Sequence, residues 1–371
     1  GYTHADIHTL DYFGNDLFCG SDGGLFISTD NGISYTDLSF GMEITQFYRF
    51  GGSPQNANLI IAGSQDNGSN LWDGTNWTHV MGADGMEGAI NPTNANVIFC
   101  TFQFGGLRRT LDGGANWSDI STGSGEDGSW VTPYESLPGN KLIIAYENVW
   151  LSNDNGDTFN PISNFSNGSA NDLDVCKGDH NHIAVSFDEE LYLTQDGGST
   201  WNLISTGLPN NFITDIHFHP TDPELIYVTL SGFDASEKVY VTRDAGTTWF
   251  NISNNLPNLP ANTLVFQEGS QGGIYVGMDV GIYYTDSTLS NWQPFDTGIP
   301  NVIVNELEVH YGSSKIRAAT YGRGVWESDL FTQSTLPPEA NFGNTEETLC
   351  STDSVRFFDA SLNAAPGWTW Y

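Results

Sequence analysis

Apolar residues in this chain fall in short runs of four to seven, each closed by a cluster of Gly, Asp, Asn or Ser. Such runs are too short for helices and are rich in Val, Ile, Phe and Tyr, so they predict strands. Two kinds alternate. One reads ITQFYRF (44–50), GAINP (88–92), WVTPY (130–134), DLDVC (172–176), ITDIHF (213–218), NTLVF (262–266) and NELEV (305–309). The other is more uniformly apolar: LFCG (17–20), LIIAG (59–63), VIFCT (97–101), KLIIAY (141–146), HIAVS (182–186), LIYVT (225–229), GIYVG (273–277) and KIRAAT (315–320). A third strand follows each of these, and a fourth comes after an acidic turn. No helical period runs over a useful length, which excludes a helical solenoid.

The acidic turn is the repeating element. It reads STDNGISY (28–35), TLDGGANW (110–117), SNDNGDTF (152–159), TQDGGSTW (194–201) and TRDAGTTW (242–249), with a degenerate copy, TDSTLSNW, at 285–292. Its central residues Asp30, Asp112, Asp154, Asp196 and Asp244 are separated by 82, 42, 42 and 48 residues, so the first gap holds two periods. The missing copy falls near LWDGTNW (71–77), where the turn is shortened. Four strands in each period of about forty residues predict an all-β propeller with four-stranded antiparallel blades. Eight units can be counted, from HADIHTL to KIRAATYGRGVWESDL, giving seven or eight blades. Within the turn, Gly permits positive φ and the Asp carboxylate accepts local N–H bonds, so these five aspartates are structural rather than catalytic.

The pattern resembles the Asp-box (BNR) propellers of sialidases, oligoxyloglucan-type glycoside hydrolases and the sortilin luminal domain, over residues 1–332. THADIH, SDGGLFISTDNG, ITQFYR, AGSQDNGS, GADGMEGAINP and ATYGRGVW resemble more closely a group of large secreted bacterial proteins labelled glycosyl-hydrolase-like or sortilin-like. Residues 333–338 read as a Pro-containing linker. Residues 339–371, with VRFFDAS and WTWY, resemble the start of a PKD (immunoglobulin-like) domain too short to close a sandwich. What the resemblance implies is a secreted or cell-surface protein of Bacteroidetes type, using type IX secretion, with further domains in the same chain.

Charge narrows the function. With 45 Asp plus Glu against 11 Lys plus Arg, the formal net charge is −34. Nothing could neutralise a run of phosphates, so nucleic acid is excluded as a partner, as are anionic membrane surfaces. No apolar run is long enough for membrane insertion by a helix. The cysteines lack metal spacing and fall mid-strand, which predicts buried free thiols.

In a propeller, the loops between second and third strands gather with the blade-entry segments on the face opposite the acidic turns. There the sequence places Asp22, Gln65, Asp66, Asp84, Glu87, Glu147, Tyr321 and Arg323, with His4 and Asp6 on the first strand. This predicts an acidic mouth over a central channel. A polysaccharide or protein ligand is expected, bound by His4, Asp6, Gln65, Asp66, Glu147, Tyr321 and Arg323. Clustered carboxylates and carbonyls could instead hold Ca²⁺; no cofactor is otherwise indicated, and the metal ligands stay unassigned. In HADIH, alternation puts His4, Asp6 and His8 on one strand face, lining the channel, although two histidines four residues apart on a strand stand roughly 13 Å apart and cannot share one ion. The alternative to a binding platform is a glycoside hydrolase using paired carboxylates, with Asp22, Asp66, Asp84 and Glu87 as candidates. Sialidase chemistry is disfavoured because the required arginine triad and the F/Y-R-I-P motif are absent. The sequence favours binding over catalysis.

Overall fold

A computed structural model describes residues 3–332 together with the strand segments 342–344, 357–359 and 369–370. It is a β-propeller: the described residues form eight four-stranded antiparallel sheets and one two-stranded sheet, with a single 3₁₀ turn at Gln103–Gly105 as the sole helical piece. The four-stranded sheets span 7–37, 47–81, 85–120, 134–161, 172–203, 213–251, 261–294 and 304–329, the last completed by Thr369–Trp370. The fourth strand of the final blade is Thr369–Trp370, pairing beside Trp326–Glu327, so WTWY, expected in the immunoglobulin-like module, adds to the propeller instead. Of the expected immunoglobulin-like module at 339–371, the described residues otherwise include only the antiparallel pair Phe342–Asn344 and Phe357–Asp359, and the rest lies outside them.

Seven of the eight sheets close a ring. Their inner strands are Phe47–Ser53, Gly85–Ile90, Tyr134–Leu137, Asp172–Val175, Ile213–His219, Ala261–Gln267 and Val304–His310, and each packs on the next, with the seventh returning to the first. The joint between the last and second sheets is fastened by a bridge between Gln46 and Tyr321, by the amides of Gly322 and Gly324 donating to the Thr45 carbonyl, and by Phe47 and Phe50 packing on Ala319 and Val325. Arg317, fully buried, reaches across the same joint. Its Nε donates to Glu327 Oε2 at 3.0 Å and its Nη2 to the Ala57 carbonyl.

The sheet at 7–37 stands apart from that ring. It has a blade's order and acidic turn, yet every residue of its first strand, Ile7–Phe13, is exposed. HADIH therefore does not line the channel: His4 and Asp6 precede the strand, and the strand has no blade beside it to bury either face. The eight units read from the sequence are present, but seven make the propeller.

Packing explains the strand patterns. The second strands of the blades are buried on both faces, as their unbroken apolar runs require, and the core is a set of clusters between neighbouring sheets. The acidic turns share one geometry. In each, the leading Ser or Thr hydroxyl donates to the Asp Oδ1 and accepts the Gly N–H, while the residue four beyond the Asp donates its amide to the same oxygen at 2.8–2.9 Å. The closing tryptophans then join blades: Trp201, Trp249 and Trp292 donate Nε1 to the carbonyls of Ile162, Ile204 and Ile252, each on the preceding blade, at 2.8 Å. Cys19, Cys100 and Cys176 are buried free thiols.

The second and third sheets meet almost backbone to backbone. A Cβ on Gly63 would lie 2.0 Å from the Met86 carbonyl oxygen, and one on Gly51 would lie 2.3 Å from that of Gly88. Neither glycine needs positive φ, so the requirement is for space alone. Replacing Gly63 with Ala should therefore lower stability by about 1–3 kcal/mol through overpacking. Gly82→Ala, where a Cβ meets nothing within 4 Å, should change it by less than about 0.5 kcal/mol. Urea denaturation of both variants checks the difference.

Candidate functional site

The inner strands surround a cavity of about 290 Å³, the channel. Glu87, Glu135, Asp172, Asp174, Asp215, Glu306 and Glu308 face it, with Arg49, Lys177 and His217. Strand alternation explains the set. DLD, TDIH and NELE each place acidic residues on the inward face while Leu or Ile turns into the inter-sheet core.

These carboxylates have a common partner. Asp172 Oδ2 accepts the Ile216 amide at 2.6 Å, Glu135 Oε1 that of Val175 at 2.8 Å, and Glu308 Oε2 that of Gly52 at 2.6 Å. Asp174 does the same for Phe218, Asp215 for Leu264 and Glu306 for Phe50. Each bond runs from one blade to the following one. Burial nonetheless pushes the carboxyls of Glu87, Glu135, Asp172, Asp174, Asp215 and Glu306 up, against the pull of these amides and, for Glu87, Asp172, Asp215 and Glu306, of Arg49. Burial holds the His217 imidazole neutral, its pKa down at about 3.

Arg49 separates the channel from the mouth above it. Its guanidinium donates to the Asn305 carbonyl, and its Nε lies 3.7 Å from Glu87 Oε2. The mouth is a second cavity of about 310 Å³, lined by Arg49, Trp130, Asn171, Phe212, Thr214, Asn262 and Asn305 among others. Its character is amide and aromatic, in place of the acidic mouth expected from the sequence. Trp130 is 41% exposed and Phe212 40%. Phe104, 52% exposed, meets Trp130 edge-on with centroids 5.4 Å apart.

The predicted site residues divide. Gln65, Asp66 and Asp84 come together on the rim: Asp84 Oδ1 accepts Gln65 Nε2 at 3.0 Å and the Asp66 amide at 2.8 Å. Tyr321 and Tyr48 both donate to Gln65 Oε1, their rings 5.4 Å apart. His4 Nε2 reaches the Asp66 carbonyl at 3.1 Å, and Asn67 Nδ2 donates to the Asp22 carbonyl at 2.9 Å, bringing His4, Asp6 and Asp22 to the same sector. Burial raises the Asp66 carboxyl, and Asp22 and Asp84 add to the rise. Glu87 is not with them; it lies in the channel beneath Arg49. Glu147 sits on an exposed turn, and Arg323 is exposed, its guanidinium bonded to its neighbour's carbonyl.

Other rim carboxylates hold loops in place. Glu126 accepts the Asn148 amide and Trp150 Nε1, both at 3.0 Å, and Asp279 accepts Asn262 Nδ2 at 3.1 Å. Reading the sequence for charge missed Trp130, Phe212, Asn171, Asn262 and Asn305. Their signal was positional: each of these residues lies at or just before the start of an inner strand.

Comparison with known proteins places this geometry in a wider set. A family model described as Sortilin-Vps10 (sortilin, neurotensin receptor 3) matches residues 147–260. No curated protein matches the sequence. Among solved structures, the GH74 enzyme of Niastella koreensis is similar with a TM-score of 0.60 at 15% identity, covering 77% of this chain and 52% of that one. The GH74 xyloglucanase of Xanthomonas campestris gives 0.59 at 15%, covering 77% and 52%. YCF48 bound to D1 peptide gives 0.59 at 12%, covering 76% and 92%. The chain spans about half the length of the two GH74 chains. At these identities the likeness is one of fold. No helix among the described residues is long and apolar enough to cross a membrane.

The channel carboxyls and the acidic turns make opposite demands on pH. A carboxyl raised in the folded state contributes stability that is full below its unfolded value near 4 and is lost as pH rises through its folded value. For Asp172, Asp174 and Glu87 those folded values are about 6, 7 and 8. His217 acts oppositely, its contribution fading as pH falls from 6.5 towards 3, but it is one group against several. Asp30, Asp112 and Asp154 are held at about 2 by hydrogen bonds from Ser34, Asn116 and Thr158, so their contribution is lost below the ordinary value of 3.8. Thermal unfolding followed from pH 9 to pH 3 should show Tm rising to a maximum between about pH 4 and 6, then falling. A Tm that climbs steadily to pH 8 would contradict the assignment.

Proposed function

We propose that the protein is an extracellular binding platform, part of a larger secreted or cell-surface protein, which holds a neutral glycan chain across the mouth of the ring. The observation that carries this is the mouth's lining. Exposed Trp130 and Phe212 line the mouth with Asn171, Asn262 and Asn305, Phe104 lies against Trp130, and the nearby rim carboxylates are bonded within the rim. Asn262 and Asn305 each donate to one protein acceptor and Asn171 accepts the Asp188 amide, which leaves each side-chain amide further hydrogen-bonding capacity, and aromatic faces cover the apolar faces of a sugar ring without demanding charge. The GH74 neighbours, one of them a xyloglucanase, support a glycan over the peptide held by YCF48.

The alternative is a glycoside hydrolase. It is favoured by Asp66, a carboxyl raised by burial with Asp22 and Asp84 close by, as a general acid would be. Asp84 accepts two hydrogen bonds within the rim, which favours a structural role for it over that of a base or nucleophile.

A glycan array with the purified chain, followed by a reducing-sugar assay on each binder, tests the choice. Binding without release of reducing ends is expected. Trp130→Ala should weaken it at least tenfold, in line with about 1.4 kcal/mol per decade. Release of reducing ends that Asp66→Asn abolishes would establish the hydrolase instead. Capture of a peptide and no glycan would reject the glycan reading.

A further inference from the structure

Between the outlying sheet and the ring, one imidazole and two carboxylates converge. The ligating atoms of His4, Asp6 and Asp22 all lie within 4.8 Å of one another. We propose that these three side chains bind a borderline transition-metal dication of the Zn²⁺ class, which fastens the first sheet to the propeller. The proposal is independent of what the mouth binds.

The imidazole separates this group from an ordinary acidic patch. His4 Nε2 is 3.1 Å from the carbonyl oxygen of Asp66, an acceptor that requires the proton to be on Nε2. Nδ1 is then the unprotonated nitrogen, and its lone pair accepts the Asp6 amide at 3.2 Å, a bond that an ion would replace. Metal-binding histidines are characteristically oriented this way, with the second nitrogen donating to a carbonyl outside the site. Nδ1 stands 3.5 Å from Asp6 Oδ2. Two ligands at about 2.0–2.1 Å from a tetrahedral ion are separated by about 3.4 Å. The pair is therefore spaced to share an ion with little movement.

Asp22 has outer support of its own. Its Oδ1 is 2.6 Å from His8 Nε2, and its backbone carbonyl accepts Asn67 Nδ2 at 2.9 Å. His4 is seated by contact: a Cβ on Gly23 would fall 2.7 Å from the His4 Cβ, so only glycine leaves room for it there. Three protein ligands leave a tetrahedral position for water. A nitrogen donor in the set favours Zn²⁺, Co²⁺ or Ni²⁺ over Ca²⁺, which takes oxygen ligands. The chain's charge of −34 raises the local concentration of any cation at this rim.

The ion would have a mechanical result. His4 and Asp22 belong to the outlying sheet's segment, while the Asp66 carbonyl and Asn67 side chain that orient them belong to the turn between the second and third strands of the ring's first blade. Fixing the imidazole fixes that sheet against the ring.

The test is calorimetric titration of the chelator-treated 371-residue chain with Zn²⁺, and separately with Ca²⁺. One Zn²⁺ per chain is expected, with Ca²⁺ at least a hundredfold weaker. His4→Ala, Asp22→Asn and Gly23→Ala should each weaken Zn²⁺ binding tenfold or more while leaving the far-ultraviolet circular dichroism unchanged. Zn²⁺ should also slow hydrogen exchange of the amides of residues 16–28 in the unsubstituted chain and not in His4→Ala. Absence of Zn²⁺ uptake, uptake undiminished by His4→Ala, or equal affinity for Ca²⁺ would each overturn the proposal.

Discussion

The ring depends on one interaction repeated around its axis: a carboxylate on one inner strand accepting a backbone amide of the following one. An inner strand of a propeller blade has an open edge, and its unpaired N–H groups would be costly if left without acceptors in a narrow channel. Here Glu135, Asp172, Asp174, Asp215, Glu306 and Glu308 meet that need, always in the same direction round the ring. The joint between the chain's last blade and its first ring blade uses Glu306 and Glu308, the same device as every internal joint that carries one. Beyond that device, closure uses Arg317 with its partners and the contacts of Thr45 and Gln46 with the Tyr321–Gly324 turn.

Concentrating acids for this purpose has an electrostatic cost, since burial opposes ionisation of groups that also repel one another. Arg49 offsets part of it and sits where the offset reaches furthest, between channel and mouth. Its position also divides the molecule by chemistry. Below it lie carboxyls occupied with backbone amides; above it lie asparagines and aromatic rings with open faces.

Much of the architecture was legible in the sequence because its signals are local. The S/T-x-D-x-G turn carries its hydrogen-bond scheme within seven residues, so its five copies set the period of the sheets, and apolar runs such as LIIAG marked the doubly buried strands. What was not legible depended on neighbours. HADIHTL has the composition of an inner strand and forms a strand from Ile7, but only the ring shows that no blade flanks it. Asp66 and Asp84 lie together on one rim, whereas the strand phase of Glu87 turns it into the channel. The acids of DLD and NELE read as strand polarity, and nothing in one strand reveals that the next strand's amides receive them. The amide and aromatic lining escaped notice because charge was the more conspicuous feature of the loops.

The glycine-to-carbonyl contact between the second and third sheets has a consequence for how such a ring could have been assembled from copies of one unit. Side chains at other joints can be exchanged for others of similar volume, so those blades are interchangeable parts. Gly51, Gly63, Gly85 and Gly88 leave no side chain to exchange. A copy of either blade set elsewhere in the circle would need a neighbour whose backbone leaves the same space for it.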